Sequence, residues 1–137
     1  MTTNPTGNEG SVPIRSETDV VTSRQLVRKL TQQLNFSLVD QTKMITAASE
    51  LSRNTLIYGG GGDMTWKLHK EGLRDGLTLS FIDQGPGIPD LDLAMKDGWT
   101  SGSGLGKGLS GSKRLVNEFE LVSTVGQGTR VTITRWK

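Results

Sequence analysis

The sequence contains no cysteine and a single histidine, His69. The first absence excludes disulfides, thiolate metal sites and cysteine nucleophiles. One imidazole cannot build a multi-histidine metal site, and a serine–histidine–aspartate triad would rest on His69 alone. Proline occurs only four times, so this is not a Pro/Gly low-complexity chain. No run of about 18 apolar residues is present, so no transmembrane helix is expected. Met1–Gly10 is polar and lacks the apolar stretch of a signal peptide. Charge of one sign is also missing: 16 Lys+Arg stand against 14 Asp+Glu, a net +2. That is too little, and too evenly spread, for a nucleic-acid footprint. A cytoplasmic protein is expected, with neither nucleic acid nor membrane as partner.

What the sequence does have is glycine, 18 of 137 residues, about 13% against a usual ~7%. With so little proline beside it, this glycine should sit in particular loops. The length suits one domain. Residues 1–10 have almost no apolar anchor and read as a flexible tail. Residues 11–137 read as one folded unit. Ser11–Val21 reads as a first strand. Thr22 or Ser23 can cap a helix carrying Leu26, Val27, Leu30 and Leu34. Asp40 can cap a second helix with the stripe Met44, Ala48, Leu51, Thr55 and Tyr58, which the four glycines Gly59–Gly62 terminate. Met64–His69 and Leu77–Ile82 read as a strand pair joined through Lys70–Gly76, where Gly72 and the Asp75-Gly76 pair are the hairpin signals. A short helix over Leu91–Lys96, a glycine-dense loop to Gly108, a helix over Leu109–Phe119 and two strands, Glu120–Val125 and Thr129–Trp136, complete the chain. This order predicts an α/β two-layer sandwich: a mixed or antiparallel sheet with helices on one face.

Three glycine clusters lie at element boundaries. Asp83-Gln84-Gly85-Pro86-Gly87 follows an apolar strand. Gly102, Gly104, Gly106 and Gly108 alternate with Ser103, Leu105 and Lys107 and lead into the helix at Leu109. Gly126-Gln127-Gly128-Thr129 joins the last strands. Each alone reads first as an ordinary turn. The middle cluster has the stronger physical argument. Glycines let backbone N–H groups approach a ligand closely, a helix N-terminus favours anions, and Lys107 adds a cation, which together suit a polyphosphate. The Gly-Lys-Ser/Thr spacing of a P-loop is missing, and no parallel βαβ unit supports a dinucleotide fold. Upstream, Glu50 and Asn54 share one helix face. An amide oxygen there can ligate Mg²⁺ and a carboxylate can accept a proton, though in isolation the pair reads first as a solvated helix face.

Together these segments resemble the ordered boxes of the GHKL ATPase superfamily, which includes gyrase, Hsp90 and histidine kinases. Glu50-Leu51-Ser52-Arg53-Asn54 resembles its N-box, and the three clusters resemble its three glycine boxes in order. From about Val20 to the C-terminus the chain is similar to the small anti-sigma-factor serine/threonine kinases, of the RsbT type that acts as a stressosome switch. That resemblance implies the ATP-binding fold of the superfamily, with ATP and Mg²⁺ as cofactors. It implies that Asp83 accepts from the adenine amino group, with Thr129 assisting, and that Gly85 and Gly87 let the backbone close on the base. It implies that Asn54 coordinates Mg²⁺ and Glu50 acts as catalytic base. It implies further that Gly102, Gly104, Gly106, Lys107 and Gly108 belong to a lid, and that the helix beginning at Leu109 faces phosphate. The implied substrate is a serine or threonine of a STAS-domain antagonist, with a PP2C-type phosphatase as downstream target. The alternative is a nucleotide-gated, anti-sigma-type binding regulator with little or no kinase activity; the presence of Glu50 beside Asn54 argues for the kinase, because nucleotide binding alone needs no base.

Overall fold

The computed structural model describes residues 7–90, 94–95 and 109–137. Eight elements occur among them: β1 (Glu9–Ile14), α1 (Glu17–Gln33), α2 (Leu38–Ile57), β2 (Gly62–Glu71), β3 (Arg74–Asp83), α3 (Leu109–Arg114), β4 (Glu118–Thr124) and β5 (Gly128–Trp136). The five strands form one sheet in the order β1-β2-β3-β5-β4, every neighbouring pair antiparallel.

Local chemistry sets the helix ends. Ser16 caps α1 by accepting from the Asp19 N–H, and the Asp19 carboxylate accepts from the Arg15 N–H, so two donors at the helix entry are satisfied. Val20, Ser23, Val27, Leu30 and Thr31 form its buried stripe. The helix closes where Asn35 takes a left-handed backbone (φ 59). There the Phe36 N–H reaches the Thr31 carbonyl and the Asn35 N–H the Gln32 carbonyl, the paired closure that a residue of positive φ permits. Ser37, accepting from the Asp40 N–H, caps α2.

Strand alternation then makes one apolar face. Met64 and Trp66 on β2, Leu77, Leu79 and Phe81 on β3, and Val131 and Ile133 on β5 are buried in a single core with Val27, Leu30, Met44, Ala48 and Leu51 of the helices. Ser23 and Ser52 meet across α1 and α2 at 3.0 Å, both fully buried. The opposite face carries hydroxyl pairs, Thr78 with Thr134 and Ser80 with Thr132. This is the expected α/β two-layer sandwich.

Several boundaries differ from expectation. β1 begins at Glu9, inside the segment read as tail, because Glu9 and Gly10 pair with Lys67 and Trp66. α1 starts six residues before the expected caps, at the Ser16–Asp19 pair, and so takes over the second half of the first expected strand. Asp40 lies inside α2 and binds Arg135 instead of capping. Of the two hairpin signals Gly72 marks the turn, Gly72-Leu73, whereas Asp75 and Gly76 are strand residues paired with Lys70 and His69. Gly76 is needed for space, since a Cβ there would lie 2.5 Å from the Trp136 ring. α3 stops at Arg114, because Asn117 is drawn to the sheet edge: its N–H bonds to the Thr134 carbonyl and its side chain accepts from the Trp136 N–H. Phe119 is therefore a strand residue. Of the expected helix at 91–96, Ala94 is helical and buried, its N–H bonded to the Asp90 carbonyl; residues 91–93 and 96 lie outside the described residues.

Candidate nucleotide-binding site

The C-terminal half of α2 runs along one end of β3 and β5, where β3 finishes at Asp83 opposite Thr129 at the start of β5. A recess opens between them. Its walls are apolar: Leu51 from α2, Phe81 from β3, Ile88 from the following loop, Leu109 at the start of α3 and Val131 from β5. Polar groups reach it at few points, chiefly Asn54, Thr55, Asp83 and Thr129. A greasy slot with sparse, fixed polar groups suits a flat heterocycle better than a sugar or a peptide.

Asp83 is the chemical centre of the recess. Burial pushes its carboxyl above the ordinary carboxylate range, while the backbone N–H groups of Gly85 and Thr129 act the other way and favour the charged form. The Gly85 N–H donates to Oδ1 at 2.9 Å. An anchored carboxylate in an apolar slot is an acceptor aimed at a donor on the ligand.

The surrounding turns are built to leave room. A side chain at Gly59 would collide with the Asp83 carboxyl. Gly87 has φ +78, and a Cβ there would come within 2.5 Å of the Thr124 carbonyl oxygen, so this turn excludes other residues on both conformational and steric grounds. The Gly126 N–H bonds the Pro86 carbonyl at 2.8 Å, tying the loop after β3 to the turn before β5. Two glycine clusters far apart in sequence thus form one wall.

Of the residues singled out from sequence, Asn54, Asp83, Gly87, Leu109 and Thr129 line this single recess. Gly85 adjoins it through its bond to Asp83. Glu50 lies one turn before Asn54 on α2 with its side chain exposed, and it is not among the lining residues. Gly102, Gly104, Gly106, Lys107 and Gly108 lie outside the described residues. His69 is at the opposite end of β2, on the other face of the sheet, bonded to Thr78 at 2.7 Å. Met95 packs against the core, and Trp99 lies outside the described residues.

Sequence reasoning missed the part played by Gly59. The four glycines after α2 read only as a helix stop, whereas the first of them clears space over Asp83. Leu51, Thr55 and Tyr58 also line the recess; they were read as a core stripe, and their steps of three and four toward the glycines were the available signal.

The family described as histidine kinase-, DNA gyrase B- and HSP90-like ATPase matches residues 39–137. The chain belongs to this family. Among its relatives is the serine/threonine-protein kinase RsbT of Bacillus subtilis (strain 168), 42% identical over 94% of this chain and 97% of that protein. An anti-sigma F factor of Thermoanaerobacter sp. (strain X514) is 30% identical over 83% of this chain and 82% of its own length. The chain is thus a GHKL ATPase of the serine/threonine-protein kinase type. The mycobacterial sensor histidine kinase MprB shares the fold, with a TM-score of 0.50 at 17% identity over 93% of this chain and 97% of that one. No helix among the described residues is long and apolar enough to cross a membrane.

Proposed function

We propose that this protein transfers the γ-phosphoryl group of ATP to a serine or threonine of a STAS-domain antagonist, and that phosphorylation releases it to activate a PP2C-type phosphatase. The observation that supports this reading best is the convergence of Asn54, Asp83, Gly87, Leu109 and Thr129 on one apolar recess. Adenine fits between Leu51, Phe81, Ile88 and Val131, its amino group donating to Asp83.

Asn54 is the expected ligand of Mg²⁺. No group of three His, Cys, Asp or Glu side chains among the described residues is placed to hold a metal by itself. One amide oxygen, with phosphate and water oxygens for the remainder, fits a small hard cation that arrives with its nucleotide. When bound, the ion neutralises phosphate charge. The protein's own share is positioning and electrostatics, which is most of what phosphoryl transfer asks. The substrate oxygen bonds to the γ-phosphorus, ADP leaves, and Glu50 takes the hydroxyl proton. Exposure of Glu50 on the Asn54 face of α2 suits a base that must meet a hydroxyl carried by another protein. Gly102–Gly108, with Lys107, is assigned to cover the phosphates.

The test is incubation with radiolabelled ATP, Mg²⁺ and a co-encoded STAS protein. Acid-stable label on serine or threonine is expected. Glu50→Ala should leave nucleotide affinity unchanged and slow transfer by about 10²–10⁴-fold, the usual worth of a positioned base. Transfer by this variant at the wild-type rate contradicts the assignment of the base.

A further inference from the structure

The geometry points to Ser123 as the residue that sets base specificity, by fixing the direction of the Thr129 hydroxyl. The inference rests on the reading of the recess as a purine site and adds to it a residue that does not line the recess. Ser123 lies on β4 directly opposite Thr129 on β5. Its hydroxyl has three neighbours. The Ile88 N–H donates to Oγ at 2.7 Å, the Gly128 carbonyl lies 3.2 Å away and the Thr129 hydroxyl 2.8 Å away.

Proton counting decides the arrangement. A serine hydroxyl has one proton and two lone pairs. The Ile88 N–H can only donate and occupies one lone pair. The Gly128 carbonyl can only accept and takes the serine proton. The second lone pair then receives the proton of Thr129. This is the one assignment that satisfies all three contacts, and it leaves Thr129 Oγ1 showing only lone pairs to the recess. Beside it stands the Asp83 carboxylate, also an acceptor, held by Gly85. Two acceptors side by side read an amino group at the purine 6-position and reject a carbonyl there, because an oxo group sets acceptor against acceptor. The same hydroxyl, through Ile88, fastens the loop after β3 to β4. Ser123 is therefore a positioning residue acting through Thr129 and Ile88.

ATP and inosine triphosphate separate these effects, since their bases differ at the 6-position, amino in one and oxo, with a proton on the adjacent nitrogen, in the other. Affinities of both Mg²⁺ complexes are measured for wild type, Ser123→Ala, Ser123→Thr and Thr129→Val. Wild type should prefer ATP. Ser123→Ala frees the Thr129 proton and should reduce that preference about tenfold, the worth of one well-placed hydrogen bond. Ser123→Thr keeps the hydroxyl and should restore it. A mere strut would weaken both nucleotides alike, so an unchanged ratio in Ser123→Ala overturns the inference while leaving the purine site intact. If that variant does not fold, Thr129→Val carries the test: it should lose the same preference, and an unchanged ratio overturns the inference. Wild type that binds neither nucleotide overturns the purine site and this inference with it.

Discussion

Asp83 sits where burial disfavours its charge and two backbone N–H groups support it. Its neutral form is the one the fold tolerates more easily. The stability linked to it is therefore fullest at low pH and declines as pH rises through its folded pKa, which lies above the ordinary 3.8. Ligand binding has the opposite sign, because the ionised carboxylate is the acceptor. Nucleotide affinity should fall with decreasing pH through that raised pKa, and binding titrations across the acid range will show it. Asp83→Asn separates the two effects. Loss of a charged acceptor should weaken ATP by about 10–100-fold, or roughly 1.5–3 kcal/mol, while the thermal midpoint of the nucleotide-free protein at pH 7 stays level or rises. Gly59→Ala offers a second check. Its methyl would press on the same carboxyl, so ATP affinity should drop by about tenfold or more, as expected for 1–3 kcal/mol of overpacking.

Arg135 is a tie between elements. It is the third inward position of β5 after Val131 and Ile133, where an alternating pattern calls for an apolar residue. Its guanidinium instead donates to the Asp40 carboxylate at the start of α2 at 2.5 Å and to the Leu115 carbonyl just after α3 at 2.7 Å. Three elements are joined by one side chain. The Arg135 hydrogen bond holds the Asp40 carboxyl below the ordinary carboxylate range. The pair's stabilisation is thus present above pH 3.8 and lost as pH falls through the lower folded value. Asp40→Ala should cost about 1–2 kcal/mol at neutral pH, the range for a partly exposed charged hydrogen bond, and much less once Asp40 is protonated. Chemical denaturation at two pH values measures both.

The elements also show what the chain makes legible and what it conceals. The stripes of α1 and α2 were readable because apolar residues recur every three or four positions. β3 and β5 were readable because Leu77, Leu79, Phe81, Val131 and Ile133 alternate. Caps and turns were less so. Ser16, Ser37 and Asp40 are each able to cap, and only tertiary pairing of Asp40 with Arg135 decides between the last two. Gly76 resembles a turn glycine until Trp136 is seen lying against it. Phe119 fits the helical spacing of Leu115 and Val116, and the bonds made by Asn117 across the sheet edge override that local pattern.

The fold as a unit explains why a binding site can be spread over 81 residues, from Leu51 to Val131. In the order β1-β2-β3-β5-β4, β3 is central and β5 lies beside it. The loop leaving β3 and the turn entering β5 therefore emerge at the same end, and α2 crosses over them. Sequence order separates Asn54, Asp83 and Thr129; the antiparallel sheet brings them together. Their types were visible in the boxes, but their convergence required the topology. Because the recess draws on α2, β3, β5 and α3, a bound nucleotide should stabilise all of them at once. Saturation with Mg²⁺-ATP at about 100 times the wild-type Kd should add about 2.7 kcal/mol, readable as a raised thermal midpoint; the same concentration should add only about 0.4–1.4 kcal/mol to Asp83→Asn.

Calorimetric titration of the wild-type protein with Mg²⁺-ATP examines the shared recess most directly. The expected result is a single site of one nucleotide per chain, with affinity severely reduced by Asp83→Asn under the same conditions. Absence of binding heat at several temperatures, or an Asp83→Asn isotherm that overlays that of the wild type, would contradict it.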